Sequence, residues 1–198
     1  MKPARRFAPL AFALAAIATL AITAPAAMAA PAGKRAPEWD ISEWINSEPL
    51  SVAQLRGKVI VVEFFQLWCP GCNSFSIPLM KKWGQIFKQE ESEGRLVFVS
   101  IHTVFEGRSV QTPERLRRFL KKKNIRHPVG IDRHIGNNRL PETMQRYNTM
   151  GTPEMAIIGK LGNIRFQRFG FFESTEGEQV IRALLDEKME PENVSLTR

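Results

Sequence analysis

The only two cysteines of this 198-residue chain, Cys69 and Cys72, form a C-x-x-C motif directly after an apolar run. The run, Val59 to Phe65, is rich in β-branched and aromatic residues and predicts a buried strand. The residues that follow have helical spacing, so Cys69 is expected at a helix N-terminus, where backbone N–H groups favour a thiolate. The motif therefore predicts a reactive thiol pair at a strand–helix junction.

The spacing gives the two thiols different roles. We predict that Cys69 is the nucleophile and that Cys72, one helical turn later, resolves a mixed disulfide formed on Cys69. A purely structural bridge is disfavoured because closing so short a loop removes little chain entropy. Zinc would need two more ligands, and the three histidines, His102, His127 and His134, supply no H-x₃₋₅-H pair. We therefore predict no metal site.

The first thirty residues have the features of a secretory signal peptide. Three basic residues come first, an apolar run follows over about residues 7–22, and Ala27-Met28-Ala29 fits the small-x-small rule for cleavage. We predict a signal peptide over residues 1–29 and a periplasmic location for the mature protein. An uncleaved membrane anchor is the alternative, because the apolar stretch approaches the length that spans a bilayer.

Loss of residues 1–29 removes three basic and no acidic residues, so the formal charge falls from +8 to +5. A cluster of six cations falls within one predicted helix, at Arg115, Arg117, Arg118, Lys121, Lys122 and Lys123. The favoured interpretation is a solvated face opposite an apolar stripe of Leu116, Phe119 and Leu120. Weak docking to anionic lipid is the alternative, and no nucleic-acid partner is expected.

The remaining chain alternates predicted strands and helices. Residues 30–38, which contain proline and glycine and lack an apolar period, predict a flexible leader; a single domain over 39–190 and a tail over 191–198 follow. Predicted strands lie around Trp39–Ile45 and over 58–65, 95–102, 128–132, 154–159 and 164–169; predicted helices cover 70–91 with a kink at Pro78, begin at Thr112, and cover 141–147 and 175–188. This order predicts an α/β fold, a mixed sheet with helices on both faces.

The strand that ends in Trp68-Cys69-Pro70-Gly71-Cys72, the kinked helix and the later Gly151-Thr152-Pro153 together resemble the thioredoxin superfamily over about residues 39–188. The chain is most similar to exported bacterial redoxins of the membrane-associated or periplasmic type, the group that includes the thiol–disulfide proteins of cytochrome c maturation. The resemblance implies a thioredoxin-like fold with an N-terminal extension and a central insertion. It also implies a thiol–disulfide oxidoreductase that acts on protein cysteines, more as a reductase than as an oxidase.

The resemblance extends to residues beside the cysteines. Thr152-Pro153 stands where the superfamily has a cis-proline that lies across from the thiols and offers a backbone edge to the substrate, with a trans turn as the alternative. Trp68, Pro70 and Gly71 are predicted to contact the substrate. Ordinary core packing is the alternative for Trp68.

Glu63 is a carboxylate inside an otherwise apolar strand. Period-two alternation puts it on the same sheet face as Val61 and Phe65, where loss of solvation should raise its pKa. It matches the position of the buried acid that, in thioredoxins, relays a proton to or from the resolving cysteine. We therefore predict a general acid/base, with an ion pair to Lys58 or Lys81 at the sheet edge as the alternative.

The expected partners are protein thiols and disulfides together with a membrane or periplasmic electron donor. A donor is needed because a C-x-x-C pair in an oxidising compartment stays oxidised unless another system reduces it. The Cys69–Cys72 disulfide is the only redox group expected, since no glycine-rich loop for a nucleotide or flavin is present.

Two other functions stay open at the level of sequence. Peroxiredoxins share the fold, but a threonine and a proline precede their reactive cysteine, where this chain has Gln66 and Leu67. A Cu(I) chaperone is the non-enzymatic alternative, with His134 as the only candidate for a third ligand. His102 and Glu106 are further candidates to flank the site, although a histidine at a strand end is more often a local hydrogen-bonding group.

Overall fold

A computed structural model describes residues 33–188; the predicted signal peptide and C-terminal tail lie outside them. The elements are β1 (Ile41–Ile45), β2 (Val59–Phe65), a π-helical turn (Cys72–Ser76), α1 (Ile77–Ile86), α2 (Lys88–Ser92), β3 (Leu96–His102), α3 (Pro113–Lys123), β4 (Val129–Asp132), α4 (Glu142–Tyr147), β5 (Glu154–Ile158), β6 (Ile164–Phe169) and α5 (Ser174–Asp186). Within the described range, no helix combines the length and the apolar character needed to cross a bilayer.

The six strands form one mixed sheet in the order β1-β4-β3-β2-β5-β6. Strands β2, β3 and β4 are parallel, whereas β1, β5 and β6 run antiparallel to their neighbours. Every residue of β2 is buried, which is why all of its residues except Glu63 are apolar. The C-x-x-C motif follows the carboxyl end of this central strand.

Helices cover both faces of the sheet, which confirms the predicted fold class. On one face, Val59 and Val61 pack against Trp83 of α1 and Ile181 of α5. Toward the carboxyl end of β2, the same face packs against the apolar stripe of α3. The opposite face packs against Tyr147 of α4 and against Ala36 and Trp39 of the N-terminal segment, the residues that precede β1. The cysteine pair therefore stands on a strand that is fixed from both sides.

The helix after the motif differs from the single kinked helix predicted over 70–91. Helical backbone begins at Pro70, widens into the π-helical turn Cys72–Ser76, and continues as α1 with Pro78 in its first turn. The irregularity near Pro78 is the expected effect of a residue that cannot donate a backbone hydrogen bond. A second break at Phe87, with φ −103° and ψ 25°, separates α1 from α2 and was not predicted.

The prediction of a flexible leader over residues 30–38 is wrong for residues 34–38, and residues 30–32 lie outside the described range. From Lys34 onward the segment pairs with the β5–β6 hairpin: the carbonyl of Lys34 accepts from Ile164 N–H at 2.8 Å, and Ala36 N–H donates to the carbonyl of Gly162 at 2.9 Å. Its proline and glycine content suggested no regular structure. Backbone pairing requires no apolar period, so the sequence carried no signal for it.

Helix α3 presents its cations to solvent. Leu116 and Leu120 are buried, whereas the charged residues between and after them are exposed or half-buried. Arg117 forms an ion pair with Glu43 of β1. The arrangement agrees with the solvated-face interpretation of the six cations, and lipid docking stays a prediction.

Candidate active site at a disulfide-bonded cysteine pair

Cys69 and Cys72 form a disulfide with their Cα atoms 5.2 Å apart. Cys69 immediately precedes the first helical residue, and the backbone N–H of Cys72 donates to Cys69 Sγ at 3.1 Å. Cys69 is 8% exposed and Cys72 is completely buried. This asymmetry leaves Cys69 as the sulfur that a partner can reach, and a backbone donor already points at that sulfur.

A network of amides holds the loop that leads to Cys69. Gln111 accepts from the backbone N–H of Leu67 at 2.9 Å and donates to Gln66 Oε1 at 2.5 Å. The same Gln66 oxygen accepts from Trp68 Nε1 at 3.1 Å, and Asn73 Nδ2 donates to the carbonyl of Leu67 at 2.9 Å. Sequence reasoning missed these supports, because glutamine and asparagine carry no signal that separates structural amides from surface ones.

The Thr152–Pro153 peptide bond is cis, as predicted. A Cβ atom at position 71 would lie 2.8 Å from Cδ of Pro153, so the C-x-x-C loop and the proline loop touch at Gly71. The carbonyl of Pro153 accepts from Gly170 N–H at 2.8 Å. The structure thus brings Pro153 against the cysteine loop, although more than eighty residues separate them in the sequence.

Two exposed aromatic side chains border the cysteines. Trp68 is 47% exposed, which excludes ordinary core packing, and it packs so closely over Gly107 that a Cβ there would overlap the indole ring. Phe171 is 70% exposed; its ring centroid lies 5.0 Å from that of Phe75, which follows Cys72 in the π-helical turn. Sequence reasoning missed Phe171, since its only signal is an aromatic pair after a strand, and that pattern is also common in cores.

Glu63 is buried on the face predicted for it. Its carboxylate accepts hydrogen bonds from Ser76 Oγ at 2.5 Å and from Ser100 Oγ at 2.8 Å. Burial raises the pKa of Glu63 to about 7, while the two hydroxyl donors pull it down. The alternative of an ion pair with a lysine at the sheet edge is wrong, because both carboxylate oxygens are bonded to serines inside the protein.

The histidines differ from one another in their surroundings. His102 is buried against Phe65, and burial lowers its pKa to about 4. His134, the candidate third copper ligand, has its Nε2 atom 2.7 Å from the carbonyl oxygen of Val104, within hydrogen-bond distance. Over residues 33–188 no group of three or more His, Cys, Asp or Glu is placed to hold a metal. Glu106 is exposed, and only its carbonyl joins the Gln111 network.

A family model, described as the AhpC/TSA family, matches residues 32–167. The chain belongs to this family. Among solved structures, a thioredoxin-like superfamily protein is 39% identical, with 80% of this chain and 100% of that chain covered and a TM-score of 0.74. A thiol-disulfide isomerase from Corynebacterium glutamicum is 36% identical, with 77% and 98% covered and a TM-score of 0.71.

Among curated proteins, the AhpC/TSA-family chain is 25% identical over 150 residues to Protein DipZ of Mycobacterium bovis. The match covers 74% of this chain but 20% of DipZ, so the chain spans about a fifth of the length of the first curated relatives it matches. The family and the two structural relatives support the class predicted from the sequence, a thioredoxin-like thiol–disulfide oxidoreductase.

Proposed function

We propose that this AhpC/TSA-family protein is an exported oxidoreductase that exchanges disulfides with protein cysteines, mainly as a reductase. The observation that carries the proposal is the disulfide-bonded pair with one reachable sulfur, Cys69, next to a cis-proline loop. A surface of this kind suits an extended segment that contains a cysteine, because a sulfur and a backbone edge lie side by side.

In the reductive direction, the Cys69 thiolate attacks one sulfur of a substrate disulfide. The substrate S–S bond breaks, one substrate thiolate leaves, and a mixed disulfide remains on Cys69. Cys72 then loses its proton and attacks Cys69 Sγ, which forms the internal disulfide and releases the second substrate thiolate. Two electrons pass to the substrate, and a dithiol donor returns them to Cys69–Cys72. Glu63 is the proposed acceptor of the Cys72 proton.

The residues around Cys69 support the choice of protein substrates. Trp68 and Phe171 offer large, exposed aromatic surfaces on which apolar side chains next to a substrate cysteine can pack. Gly71, which has no side chain, lets the cysteine loop lie against Pro153, and Pro70 and Thr152 precede these two residues in the sequence. We propose that these residues bind the segment around the substrate cysteine.

The compartment and the direction belong to the same proposal. The basic and apolar N-terminal sequence supports export, and the resemblance to redoxins of cytochrome c maturation supports reduction. In an oxidising compartment the pair needs a membrane or periplasmic electron donor. A measured Cys69–Cys72 potential near that of thioredoxin, about −270 mV, would support the reductive direction, and a value near about −120 mV would overturn it.

Cysteine replacements test the exchange reaction. We expect Cys69→Ser to abolish reduction of insulin disulfides, because the attacking sulfur is lost. Cys72→Ser should accumulate a mixed disulfide that is visible as a mass increase, since Cys69 then attacks but nothing resolves the product. The chain has no third cysteine to confuse the assignment. Exchange that persists in Cys69→Ser at the unmodified rate would refute the proposal.

A thiol peroxidase is the second candidate, favoured by the match to the AhpC/TSA family itself. In that reaction a peroxide would oxidise Cys69 to a sulfenic acid, and Cys72 would condense with it to the disulfide and release water. Consumption of hydrogen peroxide at a rate equal to that of dithiol exchange would rank this function first. We expect peroxide consumption to be much the slower of the two.

A further inference from the structure

The buried position of Cys72 creates a problem of proton transfer. Cys72 has no exposed surface, and it must lose a proton before it can attack the mixed disulfide on Cys69. Ser76, one turn further along the same helix, is also fully buried and donates to Glu63. A proton that moves from Cys72 to Glu63 therefore arrives at a second buried group, and it still needs a route to water.

A continuous chain of side chains leads away from Glu63. Ser100 Oγ lies 2.8 Å from Glu63 Oε2 on one side and 2.7 Å from His127 Nε2 on the other. Unlike the fully buried Ser100, His127 is half-buried. Its second ring nitrogen, Nδ1, has no hydrogen-bond partner among residues 33–188. The chain thus runs from a carboxylate in the core, through one hydroxyl, to an imidazole at the protein boundary.

Strand register explains why these three residues meet. Glu63 of β2 pairs with Ser100 of β3, and Ser100 pairs with Val129, the first residue of β4. His127 comes two residues before Val129, and the carbonyl of the intervening Pro128 accepts from Ser100 N–H at 3.0 Å. His127 therefore precedes the amino end of β4, whereas Cys69 follows the carboxyl end of the parallel strand β2. Cys69 and His127 therefore lie toward opposite ends of the parallel strands.

We propose that Ser100 and His127 form a proton relay that connects Glu63 with solvent near the amino end of β4, the strand end opposite to the one that leads to Cys69. The inference rests on the proposed function, because it gives the Cys72 proton an exit while a mixed disulfide occupies Cys69. Ser100 and His127 act through Glu63 and do not touch the reacting sulfurs.

The proton balance of the relay follows from the hydroxyl between the two titratable groups. When Glu63 holds the proton from Cys72, its O–H donates to Ser100 Oγ, and the Ser100 hydroxyl donates to His127 Nε2. A concerted shift moves the carboxyl proton to Ser100 Oγ and the hydroxyl proton to Nε2, and Nδ1–H releases a proton to water. Afterwards Ser100 donates to ionised Glu63 and Nε2–H donates to Ser100, and the reverse sequence delivers a proton.

The electrostatic surroundings suit this task. The direct partners of Glu63 are two neutral hydroxyls, and within residues 33–188 neither Glu63 nor His127 takes part in an ion pair. Arg126, which immediately precedes His127 in the sequence, is exposed, and its side chain donates to Asn124. Burial lowers the pKa of His127 to about 4, so the imidazole is neutral at pH 7 and has one ring nitrogen that can accept a proton and one that can donate.

The test uses the reduced full-length protein and 5,5′-dithiobis(2-nitrobenzoate) in a stopped-flow instrument. Attack by Cys69 releases the first thionitrobenzoate at a rate that depends on reagent concentration. Attack by Cys72 on the mixed disulfide releases the second thionitrobenzoate at a rate that is independent of reagent concentration. We expect Ser100→Ala and His127→Ala to slow the second phase at pH 7 by about tenfold and to leave the first phase unchanged.

Chemical rescue separates a relay from a structural role. Added imidazole is expected to restore the second phase in His127→Ala, because free imidazole can occupy the vacated position and accept from Ser100. Imidazole should not restore the second phase in the double variant Ser100→Ala/His127→Ala, because that variant lacks the Ser100 hydroxyl. Ser76→Ala/His127→Ala is the matched control: it also loses a buried serine that donates to Glu63, but it keeps the route, so imidazole should still accelerate it.

The outcomes are decisive in either direction. A second phase within twofold of the unmodified rate in both single variants overturns the relay, and so does a slow phase in His127→Ala that imidazole fails to restore. If His127→Ala does not fold, His127→Gln carries the same test, because its amide fills the site but cannot shuttle a proton. Failure of the unmodified protein to release any thionitrobenzoate would instead refute the proposed function.

Discussion

At the scale of single residues, Glu63 couples the candidate site to the stability of the fold. The carboxyl group titrates at about 7 in the folded protein against 4.5 for an ordinary glutamate. Folding therefore favours its protonated form, so this contribution to stability is complete below pH 4.5 and is lost as the pH rises to about 7. The pKa difference corresponds to a loss of about 3 kcal/mol.

Glu63→Gln is expected to stabilise the oxidised protein at alkaline pH. The amide can still accept from one buried serine but carries no charge, so the gain should be small at pH 4 and approach about 3 kcal/mol at pH 8. Urea unfolding of both proteins at the two pH values measures the difference. The buried histidines are common to both proteins and cancel. An equal difference at both pH values would contradict the assigned pKa.

At the scale of secondary-structure elements, two helix glycines differ in how closely the neighbouring helix packs against them. In α5, a Cβ atom at Gly177 would lie 2.5 Å from the ring of Trp83 in α1. In α1 itself, a Cβ at Gly84 would meet nothing within 4 Å. The two glycines both lie in helices, where alanine has the higher intrinsic propensity, yet only one of them is required for packing.

The two alanine substitutions are therefore expected to have opposite effects. Gly84→Ala should raise the free energy of unfolding by about 0.8 kcal/mol, because it gains helix propensity without a clash. Gly177→Ala should lower it by about 1–2 kcal/mol, since overpacking against the fully buried Trp83 exceeds that gain. Chemical denaturation of the three proteins provides the comparison. A stabilised Gly177→Ala would mean that α1 and α5 are less closely packed than described.

At the scale of the whole molecule, the N-terminal segment forms hydrogen bonds with parts of the domain that are distant in the sequence. The Glu38 carboxylate accepts from the backbone N–H groups of Val52 and Ala53, each at 2.9 Å. The carbonyl of Pro37 accepts from Tyr147 Oη at 2.9 Å. Together with the pairing to the β5–β6 hairpin, these bonds make residues 34–38 part of the domain.

A chain that begins at Trp39 should accordingly be less stable than one that begins at Gly33. We expect a loss of about 2–4 kcal/mol, because the shorter chain lacks two hydrogen bonds to a carboxylate and the acceptor of a buried tyrosine. The urea midpoints of the two purified chains measure the loss. Equal midpoints would restore the interpretation of this segment as a flexible leader.

Local signals explain why much of the fold was predictable from the sequence. The β-branched run of β2 and the threonine cap with proline at the start of α3 depend on neighbouring residues only, so their positions could be predicted within one or two residues. The break at Phe87 and the pairing of the N-terminal segment depend on tertiary neighbours. They had no comparable local signal.

The same distinction applies to the candidate site. The sequence by itself determined the C-x-x-C pair at a strand–helix junction and the burial of Glu63, because spacing and alternation along one strand and one helix set these features. Only the tertiary structure decided what surrounds them: Phe171 beside the cysteines, the amide network on Gln66, and Ser100 and His127 beyond Glu63. Those contacts depend on which strands are neighbours and in which register, and chain spacing does not encode that information.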